Sequence, residues 1–145
     1  MPSSIARDIF ENLPGAWTLS RIIRDARLGC GHFNGEASFA ARGSALLYEE
    51  RGELELAAWR GPVWRRWLYA CEGDALVIRY PNTDVELHAF RFVGDARSAE
   101  HTHLCGDDRY HATLAYAPSG AISLGYVVTG RAKDYRLRTV LTRVV

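Results

Sequence analysis

No run in this sequence approaches the ~20 consecutive apolar residues that a helix needs to cross a bilayer, which excludes a helical membrane protein. The opening segment, Met1-Pro2-Ser3-Ser4-Ile5-Ala6-Arg7-Asp8, lacks the continuous apolar core of a secretory leader. Cysteine is scarce: Cys30, Cys71 and Cys105 are an odd count with no paired spacing. That argues against a disulfide framework and fits a reducing compartment, so the expected location is cytoplasmic. Charge of one sign is missing too, with 18 Lys and Arg against 17 Asp and Glu for a net +1. The arginines are scattered and form no basic run, so neither nucleic acid nor a membrane surface is an expected partner. A serine-nucleophile elbow, a P-loop and a dinucleotide fingerprint are all lacking, so no particular reaction is indicated and binding is expected over catalysis. No low-complexity segment, internal repeat or domain boundary appears, and 145 residues form one domain, 1–145, by length.

What is present is mostly strand and turn. Ser3 or Ser4 caps a short helix whose apolar positions, Ile5, Ile9, Phe10 and Leu13, recur at helical spacing until Pro14-Gly15 stops it. So short a helix needs a docking surface, and the end of a barrel supplies one for residues 1–14. From Trp17 the period becomes two: Trp17, Leu19, Arg21 and Ile23 share one face. Strands follow over 33–41, 45–50, 53–59, 63–71, 75–80, 85–93, 99–105, 109–117, 122–129 and 135–143. Arg42-Gly43, Arg51-Gly52, Gly61-Pro62, Gly73-Asp74, Gly94-Asp95, Gly106-Asp107 and Ser119-Gly120 are read as turns between them. Turn signals every ~8–12 residues mark an all-β fold. Sequential hairpins favour an up-and-down meander that closes on itself to hide its edges. The expected fold is a closed up-and-down antiparallel β-barrel of about 8–10 strands, calycin-like, with a short N-terminal helix.

Gly15-x-Trp17 at the mouth of the first strand resembles the calycins, which include lipocalins and fatty-acid-binding proteins. More of the chain is similar to the DUF6314 family, small proteins of unknown function. The matching pieces are Gly15-Ala16-Trp17-Thr18-Leu19-Ser20-Arg21-Ile22, Gly35-Glu36-Ala37-Ser38-Phe39, Tyr48-Glu49-Glu50-Arg51-Gly52, Leu87-His88-Ala89-Phe90, the run His103 to Tyr110, and Gly130 to Tyr135. The resemblance implies a calycin-like barrel. The lipocalin pattern further implies an Arg from the last strand, Arg138 or Arg143, packed on Trp17 as structure. Tyr135, Arg136 and Arg138 only loosely resemble the carboxylate grip of fatty-acid-binding proteins. The haem-binding nitrobindin branch carries further glycines after its Trp; Leu19 and Arg21 stand in their places here.

The densest chemical constellation is Glu100-His101-Thr102-His103-Leu104-Cys105, where alternation puts His101, His103 and Cys105 on one face. His88 approaches them if its strand neighbours theirs. Imidazoles and a thiolate are ligands for zinc or iron, so a metal-binding barrel using His88, His101, His103 and Cys105 is one alternative. The framework spacings that mark a dedicated metal site are lacking, and no cofactor is predicted. The leading reading is a small-molecule-binding cup with a partly aromatic cavity, in which His88, His103 and Tyr110 orient the ligand and Cys105, Phe90 and Arg66 line it. The competing reading is an enzyme using His88 or His103 as acid or base with Tyr110 as a second proton donor. Arg65 and Arg66 alternate faces, so one at most points inward. An inward Arg without a protein carboxylate favours an anionic ligand; Glu49, Glu86 and Asp134 are the candidate carboxylates. The expected partner is a small, partly apolar molecule, anionic if that condition is met. A homodimer through barrel faces is compatible with this fold, although no partner patch is visible.

Overall fold

The structure, a computed structural model, describes residues 4–145. Helix α1 (Ile5–Asn12) is followed by ten strands: β1 (Gly15–Asp25), β2 (Gly29–Arg42), β3 (Ala45–Leu56), β4 (Trp59–Glu72), β5 (Ala75–Arg79), β6 (Glu86–Arg91), β7 (Ser98–Cys105), β8 (Asp108–Tyr116), β9 (Ile122–Thr129) and β10 (Asp134–Arg143). Every ladder is antiparallel, and the sheet order is β6-β5-β4-β3-β2-β1-β10-β9-β8-β7. The chain meanders outward in both directions from the β1–β10 pair until β6 and β7 come alongside one another. No backbone ladder joins those two strands among the described residues. The expected up-and-down antiparallel barrel with a short N-terminal helix is present with ten strands, nearly closed, its one seam among the described residues lying between β6 and β7.

Helix α1 plugs one end. Ser4 is its N-cap, accepting from the Arg7 backbone N–H at 3.1 Å; Ser3, the other expected cap, lies outside the described residues. Ala6, Ile9 and Leu13 are buried against Trp17, Phe39, Tyr48 and Tyr69, which makes the helix part of the core. Trp17 is held from three sides. Its indole N–H donates to the Leu13 carbonyl at 2.9 Å, Phe39 packs edge-on, and the Arg143 guanidinium lies 4.3 Å above its ring. Of the two arginines offered for that position, Arg143 fills it; Arg138, paired with Ile22 in register, faces outward.

Two expected turns are strand interior. Arg51-Gly52 lies within β3 and Gly61-Pro62 within β4. The real turn between those strands is Ala57-Ala58, with Ala57 at φ 55°. Gly35 and Gly52 sit opposite each other in the β2–β3 ladder, where a Cβ on either would strike the backbone of Arg51 or Asn34. Glycine there permits close strand approach, which mimics a turn signal in sequence.

Candidate functional site

Inward positions of β1, β3 and β10 carry a buried polar cluster in the barrel interior, which the partly exposed Arg65 of β4 joins from its open side. Arg21 donates through Nη1 and Nη2 to both Glu50 oxygens, at 2.8 and 2.9 Å, and through Nε to Thr139 Oγ1 at 2.7 Å. The Tyr48 hydroxyl donates to Glu50 Oε1 at 2.7 Å, and Arg65 Nε donates to Oε2 at 3.2 Å. Burial pushes the Glu50 carboxyl up, but the Arg21 hydrogen bonds and the Arg65 charge outweigh it and hold the group at about 2. Burial, joined by the Glu50 charge, pushes the Tyr48 phenol well up, so it remains a donor. Glu50 is 1 % exposed, and its partners make that burial tolerable.

Around this cluster opens a cavity of about 250 Å³. Six tyrosines line it (Tyr48, Tyr69, Tyr80, Tyr110, Tyr126 and Tyr135), with Trp67 and the apolar Ile78, Leu87, Leu124, Val128 and Leu137. Burial raises the Tyr69 phenol and pushes Tyr126 up to about 12, so both stay protonated at neutral pH. Leu87 reaches the cavity because a register shift between Ile78 and Arg79 leaves it as the unpaired residue of a bulge. Cys105, exposed beside the β7–β8 turn, and half-buried Tyr110 mark the open end. Lys133 donates to the Tyr110 hydroxyl and pairs with Asp108 at 3.0 Å, a fixed cationic contact at that rim.

Of the residues singled out from sequence, His103, Cys105 and Tyr110 line this cavity. His88 and Phe90 do not: both are fully buried beside the seam, their rings 5.2 Å apart. His88 Nδ1 and His101 Nδ1 share a hydrogen bond of 2.9 Å, linking β6 to β7 where backbone pairing is missing. Burial, reinforced by the neighbouring imidazoles, pushes His88 down to about 3; His101 is lowered mainly by burial. The Nε2 atom of His88 is buried without a hydrogen-bond partner. His88 and His103 are farther apart, with ring centroids 6.2 Å from each other. Among the described residues no three His, Cys, Asp or Glu side chains converge as a metal-binding group.

Arg66 corrects an expectation of direction. It faces outward, 3.5 Å from Glu49 and 5.1 Å from the Trp64 ring, while Arg65 is the cavity residue. The inward carboxylate is Glu50, not Glu49, Glu86 or Asp134, all of which lie off the cavity lining. The signal for both was present in the strand phase. Leu46, Tyr48 and Glu50 alternate together, as do Arg65, Trp67 and Tyr69.

An up-and-down, nearly closed barrel with a helical plug and an interior cup is a calycin-like architecture. Within it the chain belongs to the family of unknown function DUF6314, whose model matches residues 13–143. No curated protein matches the chain. Two solved structures share the fold. A redesigned β-barrel, mFAP1, bound to DFHBI is 14% identical with a TM-score of 0.51, over 97% of this chain and 100% of its own. The S-type phycobiliprotein lyase CPES from Guillardia theta is 8% identical with a TM-score of 0.63, over 99% of this chain and 94% of its own. No helix among the described residues is long and apolar enough to cross a membrane.

Proposed function

We propose that this protein binds a small, partly apolar molecule inside the barrel. The ligand's polar end meets the Arg21–Glu50–Arg65 cluster, and its body packs among the tyrosines and Trp67. His103, Cys105 and Tyr110 make the rim contacts. The observation that carries this reading is the cavity itself. A space of about 250 Å³ combines aromatic and aliphatic walls with a few convergent polar groups, the usual composition of a ligand site. A barrel that served only as a packed core would fill that volume with side chains, because protein interiors are close-packed. At ~30 Å³ per water molecule the space equals about eight waters, enough for one substituted ring. A neighbour of the same fold, the redesigned barrel bound to DFHBI, supports the reading. His88 serves the barrel more than the ligand, because it packs behind the lining ring of Tyr126, 5.4 Å away, and is bonded across the seam.

A fragment screen read by amide NMR tests the proposal, with Leu124→Trp as the cavity-filling control. Binding fragments are expected to shift the resonances of Tyr69, Tyr126 and Leu137 in the wild type and to lose those shifts in the variant. If no fragment moves a lining resonance, or if Leu124→Trp binds as the wild type does, the cup is not the binding site.

A further inference from the structure

Among the described residues Glu50 is the only carboxylate that lines the cavity, and it is already saturated. An ionised carboxylate has about four lone-pair sites. Glu50 accepts from Arg21 Nη1, Arg21 Nη2, Tyr48 Oη and Arg65 Nε. It has no acceptor capacity left for a ligand. Neither inward arginine lacks a protein carboxylate, so the expected condition for an anionic ligand is not met as stated; but Arg21 and Arg65 share the same one, which leaves the cavity lining with a single surplus positive charge.

That surplus is localised. Arg21 is wholly engaged in the cluster, with three nitrogens bound to Glu50 and Thr139. Arg65 commits only Nε; among the described residues neither terminal nitrogen has a protein acceptor. Its guanidinium lies 5.9 Å from the Trp67 ring centroid, and Trp67 itself lines the cavity. Two of the six phenols are engaged, Tyr48 with Glu50 and Tyr110 with Lys133. Tyr69, Tyr80, Tyr126 and Tyr135 have no such partner among the described residues, so their hydroxyls can donate to a ligand. The site thus offers free donors and one uncompensated cation, set in walls of flat rings.

We infer that the ligand is a compact organic monoanion, a carboxylate carried on a flat apolar body, and that Arg65 is the residue that selects it. This rests on the binding reading above and names its ligand class. A guanidinium fork presents two parallel N–H groups and matches a carboxylate edge. The Arg65 side chain is 42 % exposed, so water serves its terminal nitrogens in the free protein; a neutral ligand that displaced this water would offer them no charged acceptor in return. A dianion would leave excess negative charge beside Glu50, where like charges repel.

The test compares benzoate, its neutral counterpart benzamide, and phenyl phosphate on the full chain, by amide NMR and quenching of the intrinsic tryptophan fluorescence. Benzoate is expected to bind at least about tenfold more tightly than either of the others, the range of one charge-assisted hydrogen bond. Arg65→Gln is expected to abolish the preference, so that benzoate and benzamide bind alike; Arg65→Lys keeps part of it. Thermal unfolding of each variant confirms that it is folded. If benzamide or phenyl phosphate matches benzoate while all three shift lining resonances, the ligand class is wrong and the cup still binds. If benzoate keeps its preference in Arg65→Gln, Arg65 is not the selecting residue. If none of the three shifts a lining resonance at about 10 mM, weaker than any specific site requires, the binding reading falls together with this one.

Discussion

At the scale of single residues the molecule depends on Glu50. It neutralises Arg21, which is 8 % exposed, and it fixes the direction of Arg65 and Tyr48. Glu50→Ala is expected to destabilise the fold by about 3–5 kcal/mol, because it leaves a buried guanidinium without its counter-charge. The double variant Arg21→Met/Glu50→Leu is expected to recover most of that loss, since removing both charges also removes their desolvation. Urea unfolding of the two variants and the wild type decides it. A loss below about 1 kcal/mol for Glu50→Ala would show that Arg21 reaches water once freed. The sequence displayed these residues without ranking them. Arg21 was visible on the Trp17 face, but a charged residue among apolar ones has no identifiable partner until strands are in register. The adjacent pairs Glu49-Glu50 and Arg65-Arg66 each put one charge inside and one outside. Only the phase set by Tyr48 and by Trp67 separates them.

Among the elements, the legible ones were those whose turns carry glycine. The hairpins at Gly43, Gly73 and Gly106 each place that glycine at φ near 60° in a two-residue loop, and the strands on either side fall where alternation puts them. The β3–β4 hairpin was missed because its loop is Ala57-Ala58, while the nearby glycines, Gly52 and Gly61, lie inside strands. An alanine in the left-handed region costs about 1–2 kcal/mol, a strain that glycine avoids at some cost in chain entropy. Ala57→Gly is therefore expected to raise stability by about 0.5–1 kcal/mol. A shift of the urea midpoint to higher concentration, with unchanged slope, is the expected reading. A lower midpoint would mean that chain entropy outweighs the relieved strain. The seam was equally hidden, since alternation marks strands but cannot say which two neighbours fail to form a ladder. His88 and His101, grouped from sequence as metal-ligand candidates, share a hydrogen bond that joins β6 to β7.

The whole molecule inherits a pH dependence from that seam. His88 stays neutral only while the barrel is closed around it, because burial and the nearby His101, His103 and His111 all disfavour its charge. Its pKa falls from 6.5 to about 3 on folding, so below pH 6.5 the unfolded chain takes up a proton that the folded chain refuses. The stabilising contribution is fully present above pH 6.5 and is lost as pH falls toward 3. At about 1.4 kcal/mol per unit this amounts to about 5 kcal/mol, a large share of a typical domain's stability. Glu50 adds a second loss in a lower window, between 4.5 and about 2. The two are separable, because the lowered His88 and His101 act from pH 6.5 downward, whereas the lowered Glu50 acts only below 4.5. Unfolding free energy measured in urea is expected to stay level from pH 8 to 7 and then fall steadily with acid. His88→Gln keeps a side chain able to bond His101 and removes the titration, so the fall above pH 4.5 should flatten in that variant even if its neutral-pH stability is lower. A wild-type profile that stays flat down to pH 4.5 would mean that His88 hydrates within the native barrel and that the seam opens without unfolding.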